Sequence, residues 1–257
     1  MNASMFKLYA VGVAAENKKR NSKELKITPT ETFPFLDGEL MENPTELGFK
    51  GVDEDNQAYE GTVFTDNVIN ATWLPSSSNR VTAPDIRRGE RVEIWRVGYV
   101  DQFYWRPMGL DDHLRKLETI IFAISGNPVE GNEVLDVENC YFVEFSTHTK
   151  QVTLSTSKKN GEPFGYTFQF NTDQGNVLLQ DDIGNEFYMD SAQKQLKLIN
   201  AMGSFIDIDK KDIKVNAIEK IHAKAGSSIV LETGATKMTL TPSGTTLATP
   251  SFKGITT

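Results

Sequence analysis

Three histidines, one cysteine and a row of aspartates are the residues of this 257-residue chain that first invite a chemical reading. Asp207, Asp209 and Asp212 have carboxylates close enough in sequence to suggest a calcium loop. An EF-hand needs glycine at its sixth position and glutamate at its twelfth, and here Asp212 runs on into Ile213-Lys214. Ile206 and Ile208 interleave with the aspartates, so the carboxylates are expected on the solvent side of one strand. His222 lies between Ile221 and Ala223 and should point outward if they point inward. His113 is expected in the first turn of a helix, with no serine or cysteine nucleophile arranged around it. His148 falls in a turn between strands. The histidines read as scatter, so no catalytic residue, metal ligand or cofactor is expected. Cys140 is alone, which excludes an intrachain disulfide.

A second set of residues suggests binding. Tyr99, Phe103, Tyr104 and Trp105 supply rings, and Arg80, Arg87, Arg88, Arg91, Arg96 and Arg106 supply charge. Such a mixture can stack the bases of a single nucleic-acid strand in a basic groove. Asp85, Glu90, Glu93, Asp101, Asp111 and Asp112 are interspersed with it, however. The chain carries a net charge of −8, and from residue 201 onward seven lysines face five acids, leaving −10 on the first 200 residues. An acidic body argues against non-specific nucleic-acid binding. Arginines and aromatics are equally what protein interfaces select. A protein contact is therefore the expectation, with Arg87, Arg88, Tyr104 and Trp105 as its residues.

The elements that would hold these groups are strands. From Phe168 onward, apolar residues recur as pairs two positions apart: Phe168/Phe170, Val177/Leu179, Phe187/Met189, Leu196/Leu198, Ile206/Ile208, Ile213/Val215, Ile221/Ala223, Ile229/Leu231 and Met238/Leu240, then Leu247. Steps of nine or ten residues shorten beyond Ile206, so one unit is laid down repeatedly and tightens toward the C-terminus. A strand of about five residues with one apolar face cannot bury that face alone. Either the strands fold back as a sandwich or single-chain meander, or three copies wrap around a shared axis. The polar connectors lack the Asn-Gly and Asp-Gly pairs of tight hairpins, and the later inward residues are small or medium aliphatics (Ile221, Ala223, Ile229, Leu231). Three copies are the expectation, with Ile206, Ile208, Ile213, Val215, Ile221, Ile229, Leu231, Met238 and Leu240 in the shared core.

Upstream, residues 1–50 read as an extended arm with short strands at Leu8–Val13 and Leu25/Ile27, and Asn17–Lys23 as a solvated charged loop. Residues 51–160 read as a compact unit. Strands are expected at Tyr59–Phe64 and Val68–Leu74 (joined at Asp66-Asn67), Arg91–Val97, Gln102–Trp105, Tyr141–Phe145 and Val152–Thr156. Leu114, Leu117, Ile120/Ile121 and Ile124 follow helical spacing, with Asp111 or Asp112 as cap and Gly126 as stop. This is the element order of a small five-stranded OB barrel with one helix. Lys158-Lys159-Asn160-Gly161 marks the boundary to residues 161–257. The start lacks a signal peptide's basic region and apolar run, and no run approaches ~18 apolar residues.

Trp73-Leu74-Pro75, Asn79-Arg80, Pro84–Glu90 and Phe103-Tyr104-Trp105, followed by the Phe168–Leu247 repeat, resemble the central spike proteins of contractile phage tails, and the spikes of type VI secretion systems. The resemblance covers about residues 55–257. It implies a mainly all-β, non-enzymatic homotrimer with an OB domain attached to a tail hub or baseplate protein and an intertwined trimeric β-helix or prism that pierces the host envelope. It also implies a virion tail-tip location after assembly in the host cytoplasm, and no nucleic-acid partner. Some members insert a lysozyme-like domain, for which the connector here is too short. Others end in a His-x-His pair holding an axial iron, which this chain lacks; an axial ion is not indicated, and a separate protein could cap the blunt end at Ser251–Thr257. The competing expectations are a single-strand-binding OB module with a dimerisation tail, and a receptor-binding fibre or adhesin.

Overall fold

The computed structural model describes residues 5–31, 45–52, 58–65, 68–77, 79–109, 117–129, 136 and 138–253, with 45–52 and 58–65 as backbone only. The expected turn Asp66-Asn67, the cap Asp111 or Asp112, His113 and residues 254–257 lie outside them.

The chain opens with β1 (Phe6–Ala14), β2 (Glu24–Pro29), β3 (Thr45–Val52), β4 (Ala58–Thr65), β5 (Ile69–Trp73), β6 (Arg91–Val97) and β7 (Phe103–Pro107). Five of these close a barrel in the order β1-β2-β5-β7-β6, while β3 and β4 pair separately. Only the β5–β7 pair is parallel. Numbered by stave, the order is 1-2-3-5-4, consistent with the expected OB-like barrel. The interior holds Leu25, Ile27, Trp73, Ile86, Val92, Ile94 and Trp105 around the small residues Ala10, Ala14 and Ala71. Trp105 is fully buried and donates its indole N–H to the Lys23 carbonyl at 2.9 Å. Gly12 is needed where β1 crosses the core. A Cβ there would stand 2.6 Å from Ile27 Cγ2 and 2.9 Å from Ile94 Cδ1.

Two expectations about this half are corrected. The arm is not an arm: β1 and β2 are two of the barrel's five staves, and the barrel ends at Pro107 rather than near residue 160. Its inward residues on β1 are Ala10, Gly12 and Ala14, too small to register as an apolar face. The charged loop is not wholly solvated either. Lys18 is buried, donating from Nζ to the carbonyls of Lys19 and Ser22 at 3.0 Å each, with Asp85 Oδ1 at 3.5 Å.

The rest of the described chain is β8 (Thr119–Ser125), β9 (Cys140–Ser146), β10 (Gln151–Ser155), β11 (Tyr166–Asn171), β12 (Asn176–Asp181), β13 (Glu186–Asp190), β14 (Gln195–Ile199), β15 (Phe205–Asp209), β16 (Asp212–Asn216), β17 (Ile229–Thr233), β18 (Thr236–Thr241) and β19 (Gly244–Ala248). Strands β8 to β16 form one nine-stranded antiparallel meander, and β17 to β19 a separate three-stranded sheet. The described residues contain no helix. Residues 119–125, expected to complete one, are strand β8, paired with β9 at seven positions. Their run Thr-Ile-Ile-Phe-Ala-Ile-Ser is rich in β-branched and aromatic side chains, and pairing overrides a chance helical spacing. Because β8–β10 belong to the same sheet as β11–β16, no domain boundary falls at Lys158–Gly161.

Side-chain acceptors and left-handed residues shape the hairpin turns where Asn-Gly pairs are missing. Asp181 Oδ1 accepts N–H bonds from Ile183, Gly184 and Asn185 at 3.2, 2.9 and 2.8 Å, and Gly184 takes φ 105°. Lys150, Lys194 and Lys210 take positive φ at three other turns.

Candidate assembly surface

Register fixes which side chains share a face, since directly paired residues project to the same side. Following the pairs across the meander from β8 to β16 gives one continuous column: Ile120, Phe145, Val152, Phe170, Val177, Met189, Leu196, Ile208, Ile213. Two residues along each strand runs a second: Phe122, Val143, Leu154, Phe168, Leu179, Phe187, Leu198, Ile206, Val215. All eighteen are apolar, and none is buried. Phe168 and Phe170 meet edge to face, with ring centroids 4.8 Å apart. Within one copy these contacts run only sideways, and the face above them is open.

The reverse face is polar over most of its length. Gln169, Lys197, Asp207 and Lys214 occupy its centre, and Gln195 donates to Asp207 Oδ1 at 2.9 Å. The aspartates of β15 are half-buried, while Ile206 and Ile208 beside them are exposed. Asp207 and Asp209 thus lie on the polar face, as expected, but in a single copy the isoleucines are the better exposed. Among the described residues, no group of three or more His, Cys, Asp or Glu could hold a metal ion. No helix among them is long and apolar enough to cross a membrane.

The sheet's two edges differ. The β8 edge is covered by the segment leaving the third stave: Val81 N–H donates to the Ile121 carbonyl, and Ala123 N–H to that of Asn79, both at 2.9 Å. Arg80 pairs with Glu118 there at 2.5 Å. His148 ties barrel and sheet together. Its Nδ1 is 3.0 Å from Thr119 Oγ1, and its Nε2 is 3.5 Å from Asp85 Oδ2, beside Lys18. The opposite edge, β16, has every residue exposed.

Of the residues expected in a shared core, Ile206, Ile208, Ile213 and Val215 lie in the two columns. Ile229, Leu231, Met238 and Leu240 share one face of the three-stranded sheet with Leu247. Ile221 is the exception: residues 217–228 form no strand, and Ile221 is exposed in coil. The columns extend upstream of the expected repeat, to Ile120 and Phe122. The signal was present in Tyr141–Phe145 and Val152–Thr156, whose apolar spacing matches the later strands.

The expected hub-contact residues separate. Arg87 and Arg88 are exposed in the turn before β6, and Arg87 N–H donates to Glu90 Oε1 at 3.0 Å. Tyr104 is half-buried on the barrel's outer wall, its hydroxyl accepting from Gln102 Nε2 at 2.7 Å. Trp105 faces the core and cannot touch a partner. The outer wall instead carries Phe6 stacked on Trp95, with centroids 5.2 Å apart, Tyr104 edge-on to Phe6, and Arg106 over Trp95 at 4.7 Å. Glu93 accepts from Arg106 Nε at 2.5 Å and Trp95 Nε1 at 2.8 Å. Burial alone would raise its carboxyl pKa, but these bonds and the Arg106 charge hold it below 4.5. Arg96 lies over Tyr9 and Phe103. Much of the aromatic and arginine surface is thus occupied with itself, and Tyr99, at the β6–β7 turn, is the ring left free at 91% exposure.

No protein-family model matches the chain, and none of the curated proteins compared with it matches.

Proposed function

We infer that this chain is a structural component that acts only as several copies together: the central spike of a contractile, phage-type injection machine, working as a homotrimer. One observation carries the reading, the double apolar column running unbroken across nine strands on an open face. The exposed area is consistent with it. The chain exposes 18621 Å², against about 11,000 Å² for a compact single chain of this mass. Covering the remaining half of each side chain contributes ~1 kcal/mol. Eighteen of them outweigh an association cost of ~4–15 kcal/mol.

Three walls of five- to seven-residue strands, with apolar columns inward and polar faces outward, make a prism. Nine strands at ~4.8 Å spacing give each wall a length of about 40 Å. In such a shaft the hydrogen bonds run along the axis and the apolar columns seal it, so an axial load meets every strand together. The OB-like barrel would attach the shaft to a hub protein through Arg87, Arg88, Tyr104 and the Phe6–Trp95 wall. The shaft would then enter the host envelope, with the tip capped by a separate protein. Light scattering on size-exclusion peaks tests the reading: a mass near three times 28.7 kDa is expected. Micrographs should show a club with a thin straight shaft. A single-copy mass at micromolar concentration would remove the proposal.

A further inference from the structure

A cavity of about 210 Å³ lies where the barrel meets the nine-stranded sheet. Lys18, Arg20 and Lys23 line it from the β1–β2 loop, Thr82 and Asp85 from the β5–β6 connection, and His148 from the β9–β10 turn. Asp85 is the one carboxylate among the described lining residues, and it stands 3.5 Å from both Lys18 Nζ and His148 Nε2. Neither the Arg20 guanidinium nor the Lys23 ammonium makes a hydrogen bond or ion pair among the described residues. The loop that presents these cations is fixed through its backbone. Lys18 N–H donates to the Ile86 carbonyl at 2.9 Å, and Lys18 Nζ donates to the Lys19 and Ser22 carbonyls at 3.0 Å each. Asn21 takes φ 62° within the turn. The Lys23 carbonyl accepts from Trp73 N–H at 2.8 Å and from Trp105 Nε1 at 2.9 Å. Lys18, Lys19, Arg20 and Lys23 are thereby held within six positions, where like charges repel. Thr82 Oγ1 accepts the Ile121 N–H at 3.0 Å, which leaves its own O–H to donate.

We propose that this cavity binds a small dianionic oxyanion, a phosphoryl or sulfate group, held by Arg20, Lys23 and the Thr82 hydroxyl. Guanidinium and ammonium groups give the short, charge-assisted bonds that such a group selects. Pockets for drug-sized ligands run to roughly 300–1,000 Å³, so this one suits a phosphate or diphosphate and little more. The chain as a whole is acidic, and a fixed loop with two uncompensated cations at a cavity is an exception within it. A bound dianion would relieve the repulsion inside the loop. It would also tie the barrel to the sheet, because Val81 and Thr82 both bond to Ile121 of β8. The site is complete within one chain and does not depend on the number of copies.

Calorimetric titration of the full-length protein with pyrophosphate tests this, at constant ionic strength with chloride as the balancing salt. Saturable binding of one pyrophosphate per chain is expected. Arg20→Gln and Lys23→Gln should each weaken it about tenfold, the loss of one charge-assisted bond. Lys19→Gln makes the same charge change on the same loop, at a residue that does not line the cavity, and should leave the affinity within about twofold. Heat no different from that of chloride would overturn the site, and so would equal losses in all three variants. Hydrogen exchange with and without pyrophosphate should slow at residues 19–24 and 82–86 and stay unchanged in β11–β16. Slowing confined to the sheet would overturn the placement. Inorganic phosphate and methyl phosphate, titrated alongside, separate the sources. Tighter binding of the first assigns the site to a free ion, tighter binding of the second to a phosphoryl group on a larger molecule, and either supports it.

Discussion

The barrel and the nine-stranded sheet are built from strands of similar length, yet they dispose of their apolar faces in opposite ways. The barrel closes on itself, leaves no sheet edge, and packs a core that ranges from Ala10 to Trp105. The sheet stays open, buries none of its eighteen column residues, and ends in an unpaired edge. The small inward residues of β1 let the barrel's wall curve tightly around large ones. The sheet's columns hold a medium or large apolar residue at every position, and they leave no room for such a bend. Stability in the barrel is therefore internal to one chain, whereas on the multi-copy reading proposed above stability in the sheet would depend on further copies and so on concentration.

The largest expected effect breaks this contrast on the sheet side. Leu198→Asp places a carboxylate within a column, between Phe187 and Ile206. In an assembly it would bury one uncompensated charge per copy, so light scattering should report single copies at micromolar concentration. Lys197→Gln, one residue away on the polar face, should leave the mass unchanged. If both variants assemble alike, the columns are not the contact. Next in size is the barrel. Trp105→Ala removes a fully buried side chain and its bond to the Lys23 carbonyl, at an expected cost of ~3–5 kcal/mol. The barrel's unfolding transition should move and the assembled mass should not. Loss of assembly in Trp105→Ala would mean that the two regions are not independent.

This contrast was partly legible in the sequence. Large residues at period two, such as Phe187/Met189 and Leu196/Leu198, announced strands because nothing but the pleat sets their spacing. The same rule marked a strand at Leu8–Val13 but missed the inward face of β1, two alanines and a glycine, and it let Val11 and Val13 stand for a face they do not bury. Ile120, Ile121 and Ile124 fit a helix as well as a strand, and only the β9 partner decided between them. Trp105 looked like a contact residue because a ring in an arginine-rich stretch does not reveal which side of a barrel wall it faces. Ile221 had the right alternation and no strand partner among the described residues. Pairing is a property of what lies alongside, which spacing does not record.

A smaller effect concerns the joint between the two regions. Lys18→Met keeps the length of the buried stem but leaves the Lys19 and Ser22 carbonyls without their donor and removes a positive charge beside Asp85. A loss of ~1–3 kcal/mol is expected in the barrel transition, readable by thermal or urea unfolding, with assembly intact. No change in that transition would show that water serves these carbonyls as well as the ammonium does.

The smallest effect separates the regions by acid. In the sheet, the turn carboxylates sit below their ordinary value of 3.8: Asp181 through its bonds from Asn185, Asp182 through Lys158, and Asp190 through the Gln193 N–H. A carboxyl whose pKa is lowered by folding stabilises the fold at pH values above its unfolded pKa. That contribution is lost as pH falls through the lower folded value. The sheet's turns should therefore hold down to about pH 4 and loosen below it. In the barrel, Glu93 is the group held low, so its outer wall should respond less. Hydrogen exchange across this range, referred to the free-chain rate at each pH, should show residues 181–185 losing protection first. Asp181→Asn retains the acceptor that receives the Ile183, Gly184 and Asn185 N–H bonds but cannot titrate. Its turn should keep its protection below pH 4 while the Asp190 turn still loosens. If the variant's turn loosens with acid as the parent's does, charge on Asp181 is not what holds it.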